Sequence, residues 1–371
     1  MPLLVPLLAE LSLVMAMGWL GTALAAQQGD AQAAAFALGH QVAGLLFVLL
    51  RVLGAGISVV TAQQLGAGQL QLALNTGRAS IAASTAIGAM LGVAAAWPAQ
   101  AWMRLLQAPA DIAPAAAAFL VTLAPALVLD ACVSAQTSVL RAHLQARATL
   151  VVNLLMQGLH LALAWWWMPR FGLAGFAWAM LVGRLLGVAV AGWFSHALLP
   201  RALEREDAPH GKPLREQRSW SNLFDFSSRE SLRAVLHVGL PAAAENILYR
   251  VCATVSIAVA GGLGAATLTA QAYAIQFNLL TMLPGIALGL SMEVLVGHAV
   301  GERSLRVAHR RVLQALWAGL AFSVLLAAAV ALGAPWLLAF FTRDVQITDL
   351  AISALWWTVL LEPGRTFNLV V

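Results

Sequence analysis

Ten stretches of this chain stay apolar for about 20 residues or more, the length that lets a helix cross a bilayer. They lie near 2–24, 33–62, 76–98, 112–139, 148–168, 173–198, 235–259, 267–297, 312–340 and 346–370. The runs are rich in Ala, Leu, Gly and Val and lack two-residue alternation, which predicts helices rather than the short alternating strands of a β-barrel. Charged residues make up 10% of the chain, whereas a soluble domain carries about a quarter. The fold class read from this pattern is an all-α polytopic membrane protein of ten helices.

The loop arginines orient it. With the N-terminus inside, Arg78, Arg141, Arg147, Arg303, Arg306, Arg310 and Arg311 fall in cytoplasmic loops. So do seven Arg and Lys residues of segment 200–233, while Arg104, Arg170 and Arg343 fall outside. The positive-inside rule favours this orientation. These loops account for the net charge of +5, so no nucleic-acid partner is expected. The N-terminal MPLLVPLLAELSLVMAMGW has no basic leader and reads as the first span rather than a removable signal. Trp165, Trp166 and Trp167 suit an interfacial belt. Segment 200–233 is the one long polar stretch. It reads as a cytoplasmic linker between an N-lobe, 1–199, and a C-lobe, 234–371, with Ser227 and Glu230 spaced as a capping box for the next helix. Cys132 and Cys252 lie within apolar runs and imply neither a disulfide framework nor a zinc site.

A shift of 235 residues lays VPLLAELSL over LPAAAENIL. Pro6 falls on Pro241, Glu10 on Glu245, Gly29 on Gly264, Gly54 on Gly289 and Gly66 on Gly301. The repeat unit spans six helices, an even number, so both copies enter the membrane in the same direction, as in one class of secondary transporters. The second copy would close near residue 435, about 235 after the first, so the repeat predicts a chain cut short of its last two helices.

Four carboxylates stand out because charge in hydrocarbon is costly. Glu10 and Glu245 fall ~12–15 Å into the ~30 Å core, one turn after Pro6 and Pro241. A proline there is expected to open the helix and free a carbonyl, and a carboxylate beside it can hold a proton or Na⁺. The competing reading is a static ion pair, for Glu245 with Arg250. Asp130 and Glu362 occupy comparable places in the fourth and tenth spans, and Arg365 lies one turn from Glu362. Arg51, Arg184 and Arg250 either pair with these acids, snorkel, or grip an anionic substrate. Gln41, Gln276 and Asn278 line a cavity or bond between helices. His40, His160 and His237 show no metal-ligand spacing, and Glu293 reads as structural. GAMLG (88–92), GRLLG (183–187) and GIALG (285–289) fit the small-xxx-small helix-packing pattern. The chain contains no HExxH, GxSxG or Walker A motif, so no enzyme activity, cofactor or ATP drive is expected.

VPLLAE and GLPAAAE opening the halves, LGTALAA after the first helix, VVTAQQLGAG, LVGHAVGE, SVLRAHLQA and LLEPGRTFN follow one another in an order and spacing that resemble the MATE (multidrug and toxic compound extrusion) exporters. These belong to the wider polysaccharide-flippase superfamily. The resemblance covers essentially the whole chain. It implies two six-helix lobes alternating between outward-open and inward-open states. It further implies exchange of H⁺ or Na⁺ for amphipathic, often cationic, compounds by a monomer in the bacterial inner membrane. Many relatives carry an aspartate late in the first helix in a Val-Asp-Thr setting; here the matching place is Gly21-Thr22. Coupling would then fall to Glu10, Glu245, Asp130 or Glu362. A lipid-linked sugar flippase and a truncated, non-transporting membrane scaffold are the alternative readings.

Overall fold

A computed structural model describes residues 3–106, 108–206, 226–339, 342 and 344–371, without the side chains at 30, 48–49, 51–52, 198–206, 226–229, 258, 261, 265 and 268. The described residues form helices and no strands: α1 (Leu4–Ala26), α2 (Asp30–Gly66), α3 (Leu70–Ala96), α4 (Ala99–Leu105), α5 (Ala113–Ala142), α6 (Ala146–Glu206), α7 (Phe226–Gly262), α8 (Ala265–Gly301), α9 (Leu305–Leu338) and α10 (Val345–Val370). Seven of them, α1, α3, α5, α6, α8, α9 and α10, are long and apolar enough to cross a membrane. α6 holds two of the expected spans, divided at Gly172, whose φ of 58° and ψ of −143° break the helix. α2 and α7 contain the remaining two. α4 was not expected: a single short helix is invisible to a span-length search.

Several helices start earlier than hydropathy suggested, α3 at Leu70 and α9 at Leu305. Gln and Arg are good helix formers, so the helix continues into its polar end. The described part of α7 begins at Phe226, which puts Ser227 inside the first turn rather than at the cap. Most of the linker, 207–225, lies outside the described residues.

The chain divides into two compact units, Met1–Ala243 and Ala244–Val371, with the division inside α7. In the first, Phe36, Phe119, Phe176, Leu120 and Leu127 anchor a core shared by α2, α5 and α6. The start of α7 belongs to this unit, with Val235 packed on Ile57, Val60, Ala135 and Val139. In the second, Ala270, Ala274, Val330, Ala334 and Leu355 join α8, α9 and α10. Apolar side chains such as Trp193, Leu325 and Leu360 remain exposed on helix faces, as lipid contact requires.

The 235-residue register reappears in the backbone. Gly29 (φ 106°) and Gly264 (φ 114°) precede α2 and α8, each 37 residues long. The turn after α2 has Gly68 at φ 71°, and the equivalent turn after α8 has Arg303 at φ 58°. An arginine in the left-handed region costs about 1 kcal/mol that glycine avoids.

The three glycine motifs all mark close helix contacts. A methyl added at Gly88 would stand 2.5 Å from Ala131 Cβ and 3.2 Å from the Leu127 carbonyl oxygen, so α3 lies directly on the α5 backbone. Gly183 and Gly187 sit against Met156, folding α6 back on itself, and Gly285 and Gly289 meet Leu369 of α10. In a bilayer such backbone approach replaces the hydrophobic effect as the driving force. Gly88→Val should therefore lower stability by about 1–3 kcal/mol through overpacking. Gly158→Val, at a position with open space around it, should leave the thermal midpoint in detergent nearly unchanged.

Candidate functional site

Each candidate carboxylate has a defined partner. Glu10 of α1 accepts from Arg141 Nη1 at 3.5 Å, at the end of α5, and from Thr149 Oγ1 at 3.3 Å, at the start of α6. Arg141 also donates to Ser138 Oγ at 3.1 Å. The pair is half-buried at the junction of three helices. Pro6 is the third residue of α1, in the first turn, where proline removes no internal helical hydrogen bond. The opened turn expected before Glu10 is therefore not formed by Pro6, whereas Pro241 does lie inside its helix.

Asp130 of α5 accepts from Arg184 Nε at 2.7 Å, and Arg184 Nη1 donates to Gln157 Oε1 at 3.0 Å. Arg184 is 7% exposed. The three residues come from α5 and from the two halves of α6, brought together by the fold at Gly172. His160, one turn beyond Gln157, stacks edge-on against Phe176 at 4.7 Å, and both its ring nitrogens are buried without a partner.

Glu362 of α10 is 1% exposed. Its Oε1 accepts from Arg365 Nη1 at 3.1 Å and from Thr281 Oγ1 of α8 at 2.9 Å. One turn earlier Thr358 donates to Asn278 Oδ1 at 2.7 Å, so two polar links join α8 to α10.

Glu245 differs from the other three. It is exposed on α7, its Oε1 accepts from Asn368 Nδ2 at 2.6 Å, and no arginine reaches it among the described residues. Arg250 is exposed and makes no ion pair with it. Gln41, Gln276, His40 and His237 are exposed, and His40 stacks on Phe36 at 5.4 Å. The side chain of Arg51 on α2 lies outside the described residues. Groups of three or more His, Cys, Asp or Glu able to hold a metal ion do not occur among the described residues.

At the place of the relatives' aspartate, Gly21 is buried, and a methyl there would meet the Phe176 ring at 3.0 Å and Phe36 at 3.3 Å. Thr22 donates to the Gly18 carbonyl at 3.0 Å. The two rings crowd the site, so even a Cβ at 21 requires them to give by a few tenths of an ångström.

Sequence reasoning missed Arg141, Thr149, Gln157, Thr281, Thr358 and Asn368 as partners. Their separations from the acids, 131 residues for Glu10–Arg141 and 123 for Glu245–Asn368, leave no local signal.

A helical membrane protein with paired charges inside its spans is the class that fold and site define. The MatE family model matches residues 6–166 and 241–371. The chain belongs to the MatE family of membrane transporters, and family members are transporters rather than enzymes. It is 23% identical over 372 residues to a Bacillus subtilis (strain 168) protein described as uncharacterized transporter YisQ, covering 99% of this chain and 78% of that one. Among solved structures, MATE in complex with MaD5 superposes with a TM-score of 0.86 at 21% identity, over 100% of this chain and 81% of that one. A MOP superfamily transporter from Pyrococcus furiosus Vc1 (DSM3638), described by the reverse polarity of its binding pocket, gives 0.81 at 18%, over 99% and 83%. At these identities the likeness establishes the fold.

The Asp130–Arg184 pair carries a sharp test. Arg184→Gln strands a carboxylate in the interior and should cost about 3–5 kcal/mol. The double variant Asp130→Asn/Arg184→Gln should recover most of that loss in the thermal midpoint.

Proposed function

We propose that this chain is an ion-coupled multidrug exporter that exchanges H⁺ or Na⁺ for amphipathic, often cationic, compounds by alternating access. The proposed setting is the bacterial inner membrane, with the N-terminus cytoplasmic and the transporter monomeric. The proposed coupling residue is Glu245. One observation carries this choice: Glu10, Asp130 and Glu362 each hold an arginine, and among the described residues Glu245 holds the neutral amide of Asn368 and no arginine. An arginine-paired carboxylate already has its counter-charge and has little to gain from a second cation. A carboxylate facing an amide can exchange a proton or Na⁺ for a cationic substrate as the protein alternates. Pro241, one turn earlier inside α7, removes the donor to the His237 carbonyl and so weakens the helix just before Glu245.

The flippase alternative requires unpaired cavity arginines to hold pyrophosphate. Arg184 is engaged on two sides by Asp130 and Gln157 and does not serve, whereas Arg250 is exposed and makes no ion pair among the described residues, so efflux and flipping are separated by assay.

The test is drug efflux from proteoliposomes under separate pH and Na⁺ gradients. Glu245→Gln should lower gradient-driven export by about tenfold or more, equivalent to about 1.4 kcal/mol or more, while the protein still inserts. Glu10→Gln should change export less. Export at the wild-type rate by Glu245→Gln would remove Glu245 from the coupling role.

A further inference from the structure

The start of α9 carries a dense basic surface that the transport reading does not use. Arg306, Arg310 and Arg311, with Val307 and Gln314, line an open groove of about 410 Å³. The three arginines are exposed. Arg311 Nη1 reaches the Leu295 carbonyl of α8 at 3.5 Å, while Arg306 and Arg310 make no ion pair among the described residues. The nearest acid in sequence, Glu302, accepts from Ser304 at 3.4 Å. Three guanidinium groups thus gather around one space with a side-chain amide and, among the described lining residues, no carboxylate.

Their position along the helix says what balances them. The arginines occupy the first two turns of α9, and residues 312–338 that follow contain no charge. The groove therefore lies where apolar helix meets polar surface, at headgroup level. Arg306 and Arg310 are four residues apart and face the same way. Two turns beyond Arg310, Trp317 is 70% exposed, and Leu313 is 41% exposed. One ligand can place a phosphate among the guanidinium forks and lay a hydrocarbon chain along this apolar continuation. Guanidinium matches phosphate oxygens two at a time, which a point-charge ammonium does not. A soluble anion would satisfy the arginines but make no use of Leu313 and Trp317.

We propose that the groove formed by Arg306, Arg310, Arg311 and Gln314 is a binding site for the phosphate headgroup of an anionic phospholipid. The site stands on the membrane placement of α9 and not on Glu245, so its failure would leave the coupling assignment untouched.

The experiment is native mass spectrometry of the full 371-residue chain in detergent, titrated with phosphatidylglycerol or phosphatidylcholine. Wild-type protein should retain phosphatidylglycerol in preference to phosphatidylcholine. Arg306→Gln/Arg310→Gln/Arg311→Gln should lower phosphatidylglycerol occupancy by about tenfold or more, since each surface arginine contributes severalfold. Arg147→Gln, an exposed first-turn arginine of α6 outside the groove, should change it far less than the triple variant does. Equal retention of the two lipids by wild type, or full occupancy in the triple variant, would overturn the site. Displacement of the lipid by inorganic phosphate at equal concentration would assign the groove to a soluble anion instead. Should the triple variant unfold, the salt dependence of wild-type binding decides. Phosphatidylglycerol retention must fall with ionic strength, and retention unchanged by salt overturns the proposal.

Discussion

A charge inside a hydrocarbon layer must bring its own counter-charge, and this chain is organised around that demand. Glu10–Arg141, Asp130–Arg184 and Glu362–Arg365 neutralise three interior carboxylates, and hydroxyl or amide groups fill further bonding positions. Desolvation offsets most of the attraction in such pairs, so their net contribution to stability is small. What they impose is register. Glu10 meets Arg141 and Thr149 only if α1 lies at one depth against the junction of α5 and α6. Thr281 meets Glu362 only at one register of α8 on α10. Apolar helix faces slide past one another at low cost, and the polar links define where they stop.

Close approach comes from a different source. Lipid tails are as apolar as leucine, so burying leucine between membrane helices gains little. Contact area and backbone proximity decide instead. Gly88 and Gly92 bring α3 onto the α5 backbone, and Gly285 and Gly289 bring α8 onto α10. Glycines thus set the distance between helices and ion pairs set the register along them.

The helices were legible because apolar length is a strong signal and survives ignorance of every contact. So was the repeat, whose sequence offset coincides with matching helix bounds and with turns of the same hand, even where arginine replaces glycine at 303. The small-xxx-small motifs were legible as contacts, though not which helix each would meet. Site geometry was much less so. The Glu362–Arg365 pair was visible because one helical turn separates them. Arg184 was expected to pair with one of the acids, but not with Asp130 in particular, since that depends on α6 reversing at Gly172. Pro6 misled because a proline's effect depends on its distance from the helix start, and hydropathy does not fix that start to a residue.

Glu10 and Glu245 occupy the same place in the repeat, yet their surroundings are unlike. Glu10 is held by a guanidinium and a hydroxyl, and Glu245, among the described residues, by an amide. Duplication gives two equal carboxylates; pairing makes them unequal. A transporter of the proposed kind needs one acidic group that changes its counter-ion and others that do not. If every interior acid could trade cations, coupling would leak through several routes; if none could, the gradient would do no work. Under the proposed function, the three arginine-paired acids are the fixed ones and Glu245 the exchanging one. At Gly21 the Phe176 and Phe36 rings crowd the position, so the first lobe offers no ready place for a further carboxylate there.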